Sequence, residues 1–203
     1  MSTATSAAAA SAAAQTLTPA ELEQAHLFLE QTRCGMTGAI KGLSETQWTF
    51  KPAADRWSIA EISEHVIFVL TVVYGRVMQQ LPAAPPPPAD RDCAHMDSIV
   101  INQFGNRLAK FPAPEFVVPA GRLASAGEAL EQLAGGYAGL RNILDTTPDL
   151  RHHAMEAPPM KAVSRGQYDW MDGYQWILAA AAHTERHTKQ ILEVMAEAGF
   201  PRR

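Results

Sequence analysis

Residues 176–187 read Trp176-Ile177-Leu178-Ala179-Ala180-Ala181-Ala182-His183-Thr184-Glu185-Arg186-His187. Positions four apart share one face of a helix, so His183 and His187 present two imidazoles to one point. The helical pattern reads from near Gln167 to Ala198 and stops at Gly199, with Pro201 beyond. On a wheel of about 100° per residue, Arg186, Lys189, Glu193 and Glu197 cluster on a solvent side. Trp170, Tyr174, Ile177, Leu178, Ala181, Ile191, Leu192 and Met195 fill the opposite side. The two histidines fall at the flank of that apolar arc, with Trp176, Ala180 and Val194, and lean towards a core.

Three further long helices precede this one. Thr18-Pro19-Ala20-Glu21 combines a capping threonine, proline at the first helical position and a capping-box glutamate. That helix is predicted to end near Leu43, with Ser44 to Gln47 opening one short turn. Ser58 and Glu61 form the next capping box, and apolar residues then run from Ile59 to about Met78. Pro82 and Pro85 to Pro88 stop this helix and hold an extended connector. A weaker pattern places a helix over Ser98–Lys110, followed by a loop with Pro112, Pro114 and Pro119. Ser125 and Glu128 then start a helix that runs to about Thr146. Its Gly135-Gly136 pair costs stability, which close packing against another helix explains. Four long amphipathic helices without alternating strands predict an all-α four-helix bundle.

Composition narrows the function. The chain has 203 residues, 47% of them hydrophobic, which suits one domain with a full core. A formal net charge of −4 and scattered basic residues argue against nucleic acid as a partner. No apolar run is long enough to cross a bilayer, and the longest candidate, Ile177–Ala182, is a fraction of a span. Residues 1–16 are rich in alanine and serine and read as a flexible tail rather than a processed leader; residues 17–203 form the domain. The two cysteines, Cys34 and Cys93, make no disulfide framework, and reduced thiols in a cytoplasmic protein are the expectation. No phosphate-binding glycine loop, serine elbow or dinucleotide fingerprint occurs.

The chemistry rests on histidine. His65 lies beside Val69, Val72 and Arg76 on the second long helix, away from its polar positions. An unpaired buried polar group costs about 1–3 kcal/mol, and one cation satisfies three imidazoles together. Three neutral imidazoles suit zinc first, with nickel or iron as alternatives, and leave a coordination position open. Glu61 shares the face of His65 but reads better as the cap of Ser58 than as a ligand, and Glu64 and Glu185 read as solvated. Arg76 is the candidate anchor for an anionic substrate or for the carboxylate of a thiol cofactor, although a snorkelling arginine fits equally. Tyr168, Trp170, Tyr174 and Trp176 line a pocket mouth or belong to the core. His26, His95, His152 and His153 lack a matched partner and read as surface or loop. Cys34 reads as a packed residue of the first helix.

The order of these features resembles the DinB/YfiT-like four-helix bundles: Trp57-Ser58 opening one helix, His65 seven residues after Ser58, and His183-x-x-x-His187 in the last. The likeness runs from about Leu17 to Ala198. It implies a bundle with long crossover loops and a divalent metal held by His65, His183 and His187. It also implies thiol S-transfer, thiol-dependent isomerisation or metal-dependent hydrolysis, and allows a homodimer. The expected activity is a metal-dependent transfer of a low-molecular-weight thiol to an electrophilic small molecule. A hydrolase using metal-activated water is the alternative, and a metal-stabilised interaction module without turnover the third reading.

Overall fold

The computed structural model describes residues 16–88, 90–107 and 115–202. The predicted N-terminal tail, apart from Thr16, lies outside those residues, as does the end of the helix expected to reach Lys110. Helix α1 (Pro19–Ile40) opens on a reciprocal box in which Thr18 caps the Glu21 amide and Glu21 returns a bond to the Thr18 amide. It stops earlier than predicted, at Ile40, because Lys41 leaves the helical region and Gly42 turns the chain at φ +76. The short turn after Ser44 is present as α2 (Glu45–Thr49), with Gln47 closing its box. Helix α3 (Ile59–Gly75) starts at the Ser58–Glu61 box and continues through a π-helical turn at Arg76–Gln80 and a 3-10 turn at Leu81–Ala83.

Helix α4 (Cys93–Gln103) begins five residues before the predicted start, because Asp92 caps the His95 amide at 2.9 Å. Helix α5 spans Ala126–Thr146 from the Ser125 cap. Two short strands, β1 (Ala154–Glu156) and β2 (Trp170–Asp172), pair antiparallel with Met155 opposite Met171, and α6 (Pro158–Val163) lies between them. Helix α7 is therefore Gly173–Met195 and does not start near Gln167. Trp170 and Met171 are held in the ribbon, and Asp172 caps the Gln175 amide while Gln175 returns the bond.

The bundle is a ring: α1 and α3 each pack against both α5 and α7, while α4 covers one flank of α7. Side chains such as Leu29, Ile62, Leu70, Leu140, Ile177 and Ile191 are fully withdrawn from water. The glycines of α5 set its approach to α3. A Cβ at Gly136 would stand 3.2 Å from Leu70 and one at Gly139 would stand 3.1 Å from the Tyr74 ring, whereas one at Gly135 would meet nothing within 4 Å among the described residues. Gly136 therefore has the packing reason expected of the pair, and Gly135 has none. The first half of α7 is buried almost all round, and Leu192, predicted for the core side, is exposed.

One helical segment, Ile59–Ala83, is long and apolar enough to cross a membrane by length and composition. Glu61, Glu64, His65, Thr71 and Arg76 interrupt it, so it contains no long unbroken apolar run. The ionisable groups among them are costly in a bilayer. Here the segment is an element of the bundle.

A charged cluster ties the ends of the bundle together. Arg151, 1% exposed, donates to Glu21 of α1 at 2.6 Å, to Asp97 of α4 at 2.6 Å and to the α7 cap Asp172 at 2.9 Å. Its guanidinium also lies 4.4 Å from the centre of the Tyr174 ring, and the Tyr174 hydroxyl donates to the Glu21 carbonyl. Burial pushes the Asp172 carboxyl up to about 6 despite Arg151, and it raises Asp97 as well. Three carboxylates sharing one guanidinium leave negative charge in excess, so this cluster specifies how the elements dock more than it stabilises them.

Candidate metal centre

The elements just described bring the three histidines together. His65 occupies the second turn of α3, held there by the Ser58 cap. His183 and His187 occupy successive turns of α7, which packs against α3. Ring centres lie 4.9 Å apart for His65 and His183, 4.7 Å for His65 and His187, and 4.4 Å for His183 and His187. One ring nitrogen from each falls within 4.8 Å of the others. His65 and His187 are 4% and 7% exposed, and His183 is partly exposed, which leaves the trio a side towards solvent.

The outer nitrogens fix the tautomers. His65 Nδ1–H donates to the Val117 carbonyl at 2.8 Å, and His187 Nδ1–H donates to Gln190 Oε1 at 2.8 Å. Each ring is neutral, so the other nitrogen, Nε2, carries a lone pair. The Trp57 ring sits 5.1 Å from that of His65 and walls its outer face. His65 and His183 meet Nε2 to Nε2 at 3.1 Å, and His183 Nδ1 is buried without a hydrogen-bond partner among the described residues. With the His183 proton on Nδ1, three Nε2 lone pairs converge and a buried N–H is left unpaired; with it on Nε2, one proton is shared between two Nε2 lone pairs and a buried lone pair is left at Nδ1. A cation resolves that conflict. With Zn–N bonds of about 2.0–2.1 Å, tetrahedral ligand nitrogens stand about 3.3 Å apart, close to the contact seen here. The three histidines are thus positioned to bind a divalent ion.

Charge around the trio favours neutral rings. Burial lowers His65, with the Val117 bond acting against it, and pushes His187 down to about 3. His183 is driven well below the ordinary range, first by burial and then by the two neighbouring histidines. Metal ligation requires the neutral form, so protons compete weakly for this site.

A second layer supports the rings. Gln190 also accepts from Arg107 at 3.2 Å, and Arg107 makes a two-pronged pair with Glu193 at 2.8 Å on each arm. On the α3 side, Glu64 accepts from the amides of Ala120 at 2.8 Å and Arg122 at 2.9 Å, and from the Arg122 guanidinium at 2.7 Å. Burial opposes ionisation of Glu64, but these donors outweigh it and hold its carboxyl below the usual range. The expectation that Glu64 is solvated is therefore corrected: it is 5% exposed and grips the loop that carries Val117. Gln190 stands three residues after His187, a spacing that signals a neighbour on one face. A backbone carbonyl such as that of Val117 has no sequence signature.

Other expected residues fall as follows. Glu61 is engaged as the Ser58 cap and pairs with Lys51 at 2.9 Å, outside the histidine trio. The Arg76 guanidinium lies over the Trp176 ring at 4.9 Å, and Trp176 shares the histidine face of α7. Tyr168 meets the His95 ring edge-on, Trp170 is in β2 and Tyr174 belongs to the Arg151 cluster, so these three do not line the histidine trio. His26 and His153 do have partners, in the Asp145 carboxylate and the Ala84 carbonyl. Cys34 is exposed, not packed, because it lies on the outer face of α1. There it donates to Glu30, and that bond, with burial in second place, raises its thiol pKa. A groove of about 610 Å³ between α1 and α4, lined by Leu27, Phe28, Gln31 and Ile101 among others, contains none of the three histidines.

No curated protein and no solved structure matches this chain. The model of the DinB superfamily matches residues 29–191, a span that takes in the bundle from the middle of α1 to Ile191 and all three histidines. The chain belongs to the DinB superfamily.

Proposed function

We propose that this protein is a metal-dependent transferase that adds a low-molecular-weight thiol to an electrophilic small molecule. The observation that carries the reading is the donor set: three neutral imidazoles with no carboxylate or thiolate grouped beside them among the described residues. Such a set leaves the charge of a divalent ion uncompensated by its ligands, and the guanidiniums acting on His187, Arg186 and the Glu193-paired Arg107, supply no negative charge to offset it. An anion at the open position is therefore strongly favoured over a neutral ligand. When bound, the ion acts as a Lewis acid that lowers the pKa of a thiol or water at that position. Zinc suits three imidazoles best, with nickel or iron as the alternatives.

The chain's own residues supply the rest. His65 and His187 enter as preoriented acceptors, because their Nδ1–H groups are already committed to Val117 and Gln190. Neither cysteine belongs to the histidine group: Cys34 is engaged with Glu30 and Cys93 accepts from Arg91, so the thiol comes from outside the chain. Arg76 is the proposed anchor for a carboxylate on that thiol or on the substrate. Stacking on Trp176 occupies the face of its guanidinium and leaves the in-plane N–H donors for a bidentate anion. Trp57 supplies an apolar wall beside His65 that keeps water from that side.

The same donor set favours hydrolysis through activated water as the second reading. The non-catalytic module is less favoured, since a closed structural shell needs a fourth protein ligand and Glu61 is held as a cap. The test is consumption of an activated electrophile by zinc-loaded protein with and without a small thiol. Consumption that needs the thiol and disappears in His187→Ala supports the transferase; consumption without thiol supports the hydrolase; none under either condition leaves the module.

A further inference from the structure

We propose that Glu64 is a positioning residue for the metal ligand beside it, acting through the loop of residues 117–122. The proposal rests on the reading of the histidine trio as a metal site and goes beyond it. His65 and Glu64 are consecutive on α3, so their side chains diverge by about 100° around the helix. Both nevertheless end on the same loop. His65 Nδ1–H holds the Val117 carbonyl, and Glu64 holds the amides of Ala120 and Arg122 and the Arg122 guanidinium with its two oxygens. The result is a closed circuit: α3 fixes the loop through Glu64, and the loop fixes the His65 ring through Val117.

The chemistry of the grip explains why a carboxylate stands there. All three groups that reach Glu64 are N–H donors, and an ionised carboxylate accepts from all of them without offering a proton. A glutamine turns an NH2 towards one of the amides, leaves a donor unpaired and frees the loop. The Val117 carbonyl then loses its fixed place, and the His65 ring loses the bond that sets its tautomer. Partners of this kind are worth about 10–100-fold in metal affinity. Linkage makes the coupling reciprocal: if the loop orders the ligand, a bound ion orders the loop.

The experiment measures zinc affinity by competition with a chromophoric chelator for wild type, Glu64→Gln and Glu61→Gln. Cobalt substitution adds a visible spectrum that reports ligand geometry. The expected result is a loss of about 10–100-fold in Glu64→Gln with an altered cobalt spectrum. Glu61→Gln, which removes a charge from the same helix, should show unchanged affinity. Equal affinity and an identical spectrum for Glu64→Gln overturn the proposal while leaving the metal site intact. A wild type that binds neither ion overturns the underlying reading instead. Should Glu64→Gln not fold, hydrogen exchange on the wild type decides. Zinc loading should slow exchange of the Ala120 and Arg122 amides about tenfold or more, as a coupling of that size requires, and unchanged exchange overturns the proposal.

Discussion

His187 and Gln190, one turn apart on α7, are joined by a 2.8 Å hydrogen bond that leaves the inner nitrogen of the histidine free to accept a cation. Gln190 is itself pinned by Arg107, so the ring is held at the end of a relay rather than by packing alone. Replacing Gln190 with alanine removes the orienting acceptor while leaving the ligand in place. Zinc affinity should fall about 10–100-fold, with secondary structure and cooperative unfolding retained. Chelator competition checks the affinity and circular dichroism checks the fold.

Arg151 is predicted to be the most sensitive charged residue outside the metal centre. Arg151→Met deletes a guanidinium that three carboxylates share and strands two of them, Asp97 and Asp172, in a dry site. The loss should be about 3–5 kcal/mol, as for other broken buried ion pairs. Urea unfolding of the two proteins at pH 7 measures it.

The same cluster imposes a pH dependence with a definite sign. Asp172 faces Arg151 from the loop before β1, Asp97 from α4 and Glu21 from α1, and its own carboxyl is raised from 3.8 to about 6. A raised carboxyl pKa means the folded state binds the proton more tightly than the unfolded chain does. This group's contribution to stability is therefore greatest at acid pH and declines as pH rises through the window from 3.8 to about 6. Asp172→Asn keeps a side-chain oxygen for the α7 cap but cannot titrate. Its stability relative to wild type should improve as pH rises across that window and level off above it, which urea melts at successive pH values test.

Gly173 has a packing reason rather than a backbone one to be glycine, since its φ lies outside the left-handed region. A Cβ there would stand 2.5 Å from Leu81 Cδ2 and 3.0 Å from the Leu150 carbonyl, whose oxygen already accepts the Gly173 amide at 2.7 Å. Because one neighbour is backbone, Gly173→Ala should cost about 1–3 kcal/mol, the usual penalty for overpacking. Thermal unfolding against wild type provides the check.

These features differ in how far the sequence betrays them. The boxes at Thr18, Ser44 and Ser58 are local contacts three residues wide, so residue type and spacing suffice to find them. The Asp172 box obeys the same rule but is masked by Trp170 and Met171, which look helical in isolation. Their strand conformation depends on Met155, sixteen residues earlier in the chain. The His183–His187 pair is likewise local, while its convergence with His65 depends on α3 packing against α7 and was legible through the family likeness. Val117 and the Arg151 cluster were not legible. One contributes only a backbone carbonyl, and the other gathers acids from positions 21, 97 and 172 around an arginine in an otherwise featureless loop.

The most direct test of the central claim is the metal content of protein saturated with zinc and then desalted, for wild type and for His183→Ala. His183 is the apt position because its Nε2 meets that of His65 while its buried Nδ1 has no partner among the described residues. The account predicts close to one ion per wild-type chain and almost none in the folded variant. Wild-type protein that retains no ion, or a variant that retains as much as wild type, would contradict it.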